Sequence, residues 1–216
     1  MKFKAVLFDL DGTLLDTLDD LADSMNAVLA GAGFPAHEVE AYKYFVGNGL
    51  RNLTEKCLPA EHRSPGEVDL HLDRLRREYE LRWDKKTKPY KGIPELLDAL
   101  VSQGIKIAVL SNKADEFAIR VVKKLLPGWR FEAVVGEKPG YPKKPDPAGA
   151  IAIAAQLGIP CHEFLYLGDT NVDMKTAVSA GMYAVGALWG FRKADELAEG
   201  GARVLIPEPT ALLDLL

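Results

Sequence analysis

Short apolar runs alternate with helix-like stretches through the second half of the chain, and this alternation constrains the fold most. The apolar strand candidates after Lys91 are Ile105–Leu110, Ala133–Val135, Phe164–Leu167, Tyr183–Ala187 and Val204–Ile206. Helical stretches separate most of them, near Asp115–Leu125, Ala148–Leu157 and Val172–Ala180. Strands that alternate with helices form a parallel sheet with helices on both faces. The sequence therefore predicts a doubly wound α/β core built on a parallel sheet, which the run Ala5–Phe8 joins as a further strand.

The segment between about Leu15 and Lys88 shows no strand pattern. Apolar residues recur at helical spacing from Leu18 to Leu29, and Thr17–Asp20 has the form of a capping box for this helix. Two more helical stretches follow, from about Asn48 to Leu58 and from Val68 to Tyr79. We expect residues 16–88 to be a helical insertion, with residues 1–15 and 89–216 forming the sheet domain.

A helix of the sheet domain is predicted to begin at Gly92-Ile93-Pro94, because proline is favoured in the first helical turn. Its buried face is expected to contain Leu96, Leu97, Leu100 and Val101. This helix would lead into the first strand of the alternating region.

Composition excludes several classes of protein. The chain is 48% hydrophobic and 27% charged, which is ordinary for a globular protein, and its net charge of -4 gives no basic excess for nucleic acid or an anionic membrane. Asp9 interrupts the N-terminal apolar run before a signal-peptide core is complete, and no apolar stretch approaches the roughly 20 residues of a membrane span. Cys57 and Cys161 fit reduced thiols. We expect a cytoplasmic protein that binds neither nucleic acid nor membrane.

Polar residues follow the ends of three predicted strands. Asp9 and Asp11 come just after Ala5–Phe8, and Ser111-Asn112 comes directly after Ile105–Leu110. The run Gly168–Asp173 follows Phe164–Leu167 in the same way. The carboxyl ends of parallel strands meet at one edge, where ligands bind in such sheets. Lys144 lies in the loop before the helix near Ala148, from which its ammonium group can reach the same edge.

The acidic residues at this edge need a counter-charge. Two carboxylates about 4 Å apart repel by about 4 kcal/mol at an effective dielectric constant near 20, and several such pairs rival the roughly 5–15 kcal/mol stability of a domain. Oxygen ligands without His or Cys favour Mg²⁺ over zinc. Ser111, expected at the start of a helix, would offer donors to phosphate oxygens, and Lys144 would add positive charge.

These residues form four motifs in order along the chain: Asp9-Leu10-Asp11-Gly12-Thr13, Ser111, Lys144, and Gly168-Asp169 with Asp173. The set resembles the phosphatases of the haloacid dehalogenase superfamily over essentially the whole chain. The resemblance implies a Rossmann-like core with an inserted helical cap, residues 16–88, that closes over the site. It also implies a small phosphorylated metabolite as the substrate.

The resemblance implies a role for each motif residue. Asp9 would be the nucleophile that forms an aspartyl-phosphate, and Asp11 would act as general acid and then as general base. The implied Mg²⁺ ligands are Asp9, the backbone carbonyl of Asp11, Asp169 and Asp173. The implied phosphate-binding groups are the turn Leu10 to Gly12, oriented by Thr13, together with Ser111, Asn112 and Lys144.

The resemblance also favours some reaction types of the superfamily over others. Dehalogenases and phosphonate-cleaving members generally lack an acid at the position of Asp11, so the resemblance favours phosphate esters. Sugar-phosphate mutases usually place a His a few residues after the Asp-Thr pair, where this chain has Leu21 following Asp16-Thr17. A mutase is therefore the weaker alternative.

The segment Val46–Leu53 looks like the cap loop of phosphoglycolate phosphatases, which makes 2-phosphoglycolate the leading substrate. Gly47 and Gly49 would permit a tight loop, and Arg51 could face a second anionic group of the substrate. The alternative is a Gly-containing turn with Arg51 in solvent. Pyrophosphatase and sugar-phosphate phosphatase activities stay open, as do two other classes, a phospho-acceptor signalling domain and a non-catalytic binding protein.

Overall fold

The structure is a computed structural model that describes residues 3–140 and 142–216. The chain divides into two compact units. The sheet unit consists of Met1–Leu15 and Pro89–Leu216, and the helical unit of Asp16–Lys88. The sheet unit is therefore built from two separate stretches of sequence, whereas the helical unit is one continuous segment.

The strands are β1 Ala5–Phe8, β2 Leu15–Asp16, β3 Lys88–Pro89, β4 Lys106–Ala114, β5 Ala133–Glu137, β6 Phe164–Gly168, β7 Tyr183–Ala187 and β8 Val204–Ile206. Six of them form one sheet in the order β5-β4-β1-β6-β7-β8, and every neighbouring pair is parallel. The strands β2 and β3 pair separately, as a two-stranded sheet. The predicted parallel α/β fold is confirmed.

The central strand β1 is buried along its whole length. Strands covered on both faces have continuous apolar sequences, which is why Ala5–Phe8 shows no alternation of polar and apolar residues. Phe8 is in register with Val109 of β4 and with Leu167 of β6. Because all three strands run in the same direction, the residues that follow them lie at one edge of the sheet.

The helical unit contains α1 Leu18–Gly31, α2 Tyr42–Phe45, α3 Leu50–Cys57 and α4 Pro65–Arg82. Short 3₁₀ helices span Val39–Ala41 and Ala60–His62. The buried face of α4 includes Val68, Leu72, Leu75 and Tyr79, which is the face that their spacing predicts.

The capping box predicted at Thr17 is absent. The hydroxyl Oγ1 of Thr17 is buried and finds no hydrogen-bond partner among the described residues. The carboxylate of Asp20 instead accepts hydrogen bonds from the backbone N–H groups of Lys86 (3.0 Å) and Thr87 (2.8 Å) and from the Thr87 hydroxyl (2.7 Å). Three donors satisfy a buried carboxylate better than one helix N–H, so this distant contact replaces the local one.

The helices of the sheet unit are α5 Ile93–Ser102, α6 Asp115–Leu125, α7 Ala148–Leu157, α8 Asn171–Ala180 and α9 Ala194–Glu199. Helix α5 buries Leu96, Leu97 and Leu100, but Val101 is 49% exposed, so its predicted burial was wrong. Val101 lies at the border of the apolar stripe, where one more step of the helix turns the side chain outward. Among the helices of residues 3–140 and 142–216, none combines the length and the apolar character that a membrane span needs.

Candidate active site

The chain turns sharply where β1 ends. The N–H of Asp9 still donates to the carbonyl of Leu167 (2.9 Å), and the N–H of Leu14 then donates back to the carbonyl of Leu10 (3.1 Å). Gly12 has a φ of +91°, and a Cβ at this position would collide with the Asp169 carboxylate and the Phe191 ring. Glycine is therefore required here both by the backbone conformation and by the space available.

Three buried carboxylates meet beside this turn. Asp9, Asp169 and Asp173 each place an oxygen within 4.8 Å of the others, and among the described residues this is the one acidic or His/Cys cluster of that kind. Burial, followed by the charge of Asp173, raises the pKa of Asp9 well above its usual range. The same two causes raise the pKa of Asp169 to about 7. The cluster therefore favours a positive charge in its midst.

Lys144 supplies one such charge. Its Nζ lies 2.7 Å from Oδ1 of Asp9 and 2.7 Å from Oδ1 of Asp173. Burial alone would lower the pKa of Lys144, but Asp173 and Asp9 outweigh burial and raise that pKa well above its usual range. Both amide atoms of Asn112 bind the backbone of Lys144, at 2.9 and 3.1 Å. Asn112 therefore holds the lysine loop in place.

Further hydrogen bonds fix the other two carboxylates. The hydroxyl of Thr170 donates to Oδ2 of Asp173 (2.6 Å), and the two residues form the capping box of α8. The hydroxyl of Thr13 donates to Oδ1 of Asp169 (2.9 Å), and the backbone N–H of Phe191 donates to Oδ2 (2.8 Å). Thr13 thus orients a carboxylate of the cluster.

Ser111 lies within a strand, and the expected helix start at this residue was wrong. Strand β4 continues to Ala114, which is the N-cap of α6, with a register shift after Leu110. The polar run after Leu110 has the composition of a loop, but Ala114 still pairs with Glu137 of β5, so the strand continues. Ser111 is buried at the same edge as Asp9.

Lys113 also belongs to this edge and was missed by the sequence reasoning. Its Nζ lies 2.8 and 2.9 Å from the two carboxylate oxygens of Asp11. Alternation along a strand places residues two apart on one face, so a cation two positions after Ser111 was a usable signal. Asp11 is therefore ion-paired with β4.

The loop after β7 contributes contacts that were not foreseen either. The indole Nε1 of Trp189 donates to the carbonyl of Thr13 (3.0 Å). A Cβ on Gly190 would collide with the Asp169 side chain and lie 2.5 Å from the Gly12 carbonyl oxygen. A glycine between two aromatic residues directly after a strand was the available signal. This loop packs against both the turn that follows β1 and the carboxylate cluster.

The residues proposed for substrate choice lie in the helical unit. Gly47 and Gly49 have φ values of +119° and +84°, so both glycines are needed for this turn. Arg51, in α3, forms an exposed ion pair with Asp69 of α4. Arg51 is thus exposed and ion-paired within the helical unit.

Comparison with known proteins identifies the family of this chain. Residues 6–187 match the family described as haloacid dehalogenase-like hydrolase, and the match contains Asp9, Ser111, Lys144 and Asp169. The chain belongs to the haloacid dehalogenase-like hydrolase family. The predicted family is confirmed, and this family member is a phosphatase.

Named relatives of this haloacid dehalogenase-like hydrolase are phosphatases. It is 31% identical over 214 residues to the phosphoglycolate phosphatase of Pseudomonas savastanoi pv. phaseolicola, covering 97% of this chain and 78% of that protein. It is 32% identical over 217 residues to the N-acetylmuramic acid 6-phosphate phosphatase of Pseudomonas aeruginosa, covering 100% and 96%. A crystal structure from Lactobacillus delbrueckii subsp. bulgaricus, of a protein proposed to be a phosphoglycolate phosphatase, has a TM-score of 0.93 at 31% identity, covering 100% and 98%.

Changing Gly190 to Ala is expected to displace Asp169 and to lower phosphatase activity by about 100-fold, because a small misplacement of a reacting group has an effect of this size. The added methyl group overpacks a filled site, so we also expect the free energy of unfolding to fall by about 1–3 kcal/mol. Gly128→Ala is the matched control, because a Cβ on Gly128 meets nothing within 4 Å. Steady-state kinetics and urea unfolding measure both effects. Wild-type activity in Gly190→Ala would contradict the close packing described for this loop.

Proposed function

We propose that this hydrolase is a Mg²⁺-dependent phosphomonoester hydrolase that acts through an aspartyl-phosphate on a small phosphorylated metabolite. The observation that carries the proposal is the position of Asp9. Its carboxylate lies 2.7 Å from the Lys144 ammonium, in a cluster with Asp169 and Asp173, and Asp11 follows two residues later. The groups proposed as nucleophile, phosphate-binding cation and acid thus lie at one sheet edge.

The carboxylate cluster suits a hard divalent cation. Its members offer only oxygen ligands, and the pKa values of Asp9 and Asp169 are raised first by burial and then by the charge of Asp173. Asp9, the backbone carbonyl of Asp11, Asp169 and Asp173 would hold Mg²⁺, which prefers such ligands. When bound, the ion would offset negative charge on the transferring phosphoryl group.

In the proposed mechanism, side chains of the sheet unit carry out the other steps of the reaction. An oxygen of Asp9 attacks phosphorus, and the bond between phosphorus and the ester oxygen breaks. Asp11 acts in its protonated form: it gives that proton to the departing alcohol and then takes a proton from the water that cleaves the aspartyl-phosphate. Lys144, Ser111 and the N–H groups of the turn Leu10 to Gly12 bind the phosphoryl oxygens. In this scheme Asn112 positions the Lys144 loop.

The substrate proposed first is 2-phosphoglycolate. Support comes from relatives that carry the name phosphoglycolate phosphatase, including one from Aquifex aeolicus that is 33% identical over 190 residues. N-acetylmuramic acid 6-phosphate is the second candidate, because the relative with that activity matches over nearly its whole length. Both compounds carry a carboxylate in addition to the phosphate ester. The roles of Gly47 and Arg51 in choosing between substrates stay predictions.

Phosphate release from a substrate panel tests the proposal. The panel contains the two candidate esters, pyrophosphate, several sugar phosphates and nucleotides, each with Mg²⁺ and with EDTA. We expect turnover with Mg²⁺, loss of turnover in EDTA, recovery when Mg²⁺ is restored, and the highest kcat/KM for 2-phosphoglycolate. Preference for another ester would remove the proposed substrate and keep the mechanism. No hydrolysis of any compound would favour a non-catalytic role, and a long-lived phosphorylated protein would favour signalling.

A further inference from the structure

Two lysines are buried in the described parts of the chain, 3–140 and 142–216. Both lie at the sheet edge that carries Asp9 and Asp11. Lys144 is 5% exposed and Lys113 is 8% exposed. Lysine is almost never buried without an anion, because a desolvated ammonium group is costly. Each buried lysine therefore needs a reason in the chemistry of the site.

The two lysines serve different carboxylates. Lys144 binds Asp9 and Asp173, where the phosphoryl group is transferred. Lys113 binds Asp11, at 2.8 and 2.9 Å from its two oxygens. Asp11 is the residue that protonates the leaving alcohol in the proposed mechanism. The Lys113 ammonium therefore lies on the leaving-group side of the site.

The ammonium group of Lys113 also contacts an aromatic ring on α6. Its Nζ lies 5.5 Å from the centroid of the Phe117 ring on α6, within the range of a cation–π contact. The Arg120 guanidinium lies 4.4 Å from the centroid of the same ring. Lys113 is thus anchored between β4 and α6 and directed toward Asp11.

The reach of this ammonium group can be stated from two distances. A general acid must lie within about 3 Å of the oxygen that it protonates. The Nζ of Lys113 lies 2.8 Å from Oδ1 of Asp11. The two distances together place this ammonium group within about 6 Å of the departing oxygen. In 2-phosphoglycolate the carboxylate carbon is two bonds from that oxygen. A carboxylate so placed is within reach of Lys113.

We propose that Lys113 determines substrate specificity by binding a carboxylate that lies next to the ester oxygen of the leaving group, with Asp11 as its counter-ion when no substrate is bound. The inference rests on the proposed function and narrows its substrate class to phosphomonoesters of small 2-hydroxy acids. It favours 2-phosphoglycolate over N-acetylmuramic acid 6-phosphate, whose carboxylate is remote from the ester oxygen.

The test compares 2-phosphoglycolate with its neutral amide, 2-phosphoglycolamide, which has nearly the same size and the same leaving atom. We expect wild-type kcat/KM to favour the acid, and Lys113→Met to reduce the ratio of the two kcat/KM values by about 10- to 100-fold, the contribution of one charge-assisted hydrogen bond. Lys113→Arg should retain part of the preference. Lys106→Met is the control, because Lys106 begins the same strand at its opposite end and pairs with Glu132.

Two outcomes would overturn the inference. The first is a wild-type enzyme that shows no preference for the acid. The second is an unchanged ratio of the two kcat/KM values in Lys113→Met; equal losses for acid and amide in that variant would show that Lys113 only positions Asp11. If the wild-type protein hydrolyses no ester, the proposed function fails, and calorimetric measurement of binding then tests the inference separately. The inference requires that Asp9→Asn binds the acid more tightly than the amide, and that the double variant with Lys113→Met shows no such difference.

Discussion

Replacing Asp9 by asparagine is expected to lower kcat by about 10⁴-fold or more and to leave the protein folded. The amide oxygen of asparagine is too weak a nucleophile to attack phosphorus, and loss of a nucleophile has effects of this size or larger in other covalent enzymes. The fold should persist because Lys144 keeps Asp173 as a partner 2.7 Å away, and because burial and the charge of Asp173 already disfavour the ionised form of Asp9. Removal of this charge relieves repulsion within the cluster.

Steady-state kinetics and mass spectrometry of acid-quenched enzyme check this result. The wild-type protein should carry a phosphoryl group on Asp9 during turnover, and Asp9→Asn should carry none. Asp98→Asn is the control, since Asp98 lies on the exposed side of α5, where it accepts a hydrogen bond from Trp129. Activity within tenfold of wild type in Asp9→Asn would rule out Asp9 as the nucleophile.

Replacing Lys144 by methionine is expected to reduce both activity and stability. The change leaves Asp9 and Asp173 without the ammonium group that lies 2.7 Å from each. Loss of one partner from a buried ion pair costs about 3–5 kcal/mol, because the remaining charge stays buried without compensation. We also expect added Mg²⁺ to restore part of the lost stability, since an ion that binds only the folded state raises the free energy of unfolding.

Urea unfolding with and without Mg²⁺, together with kinetics at saturating substrate, measures these effects. Lys143→Met is a closely matched control, because Lys143 is the neighbouring residue and forms a partly exposed pair with Glu137. That control should change the free energy of unfolding by less than about 1 kcal/mol. An unchanged free energy of unfolding in Lys144→Met would show that the buried pair does not stabilise the protein.

The sheet was predictable because its strands are buried on both faces. Such strands show as apolar runs, and the bounds of Tyr183–Ala187 and Val204–Ile206 agree with the structure at both ends. The prediction failed where a strand continued through polar residues, as β4 does after Leu110. Pairing with β5 maintains that strand, and such pairing leaves no trace in the hydrophobic pattern.

The carboxylates and Lys144 could be predicted because each follows or precedes a recognisable element. Their partners could not, because those contacts join distant parts of the chain. Lys113 and Asp11 are 102 positions apart, and Phe191 binds Asp169 through a backbone N–H that every residue except proline possesses. Residue type indicates which side chains can react, whereas the three-dimensional structure determines which of them meet.

The contact of Asp20 with Lys86 and Thr87 has a consequence for how this enzyme can diversify. These three residues all belong to the helical unit, so its first helix holds the end of the same segment. A segment whose two ends are joined from within can be exchanged or remodelled as one module. The carboxylates, Lys113 and Lys144 lie outside residues 16–88, and chimaeras joined at 15/16 and 88/89 would therefore keep the reactive groups of one enzyme while taking the entire helical insertion of another.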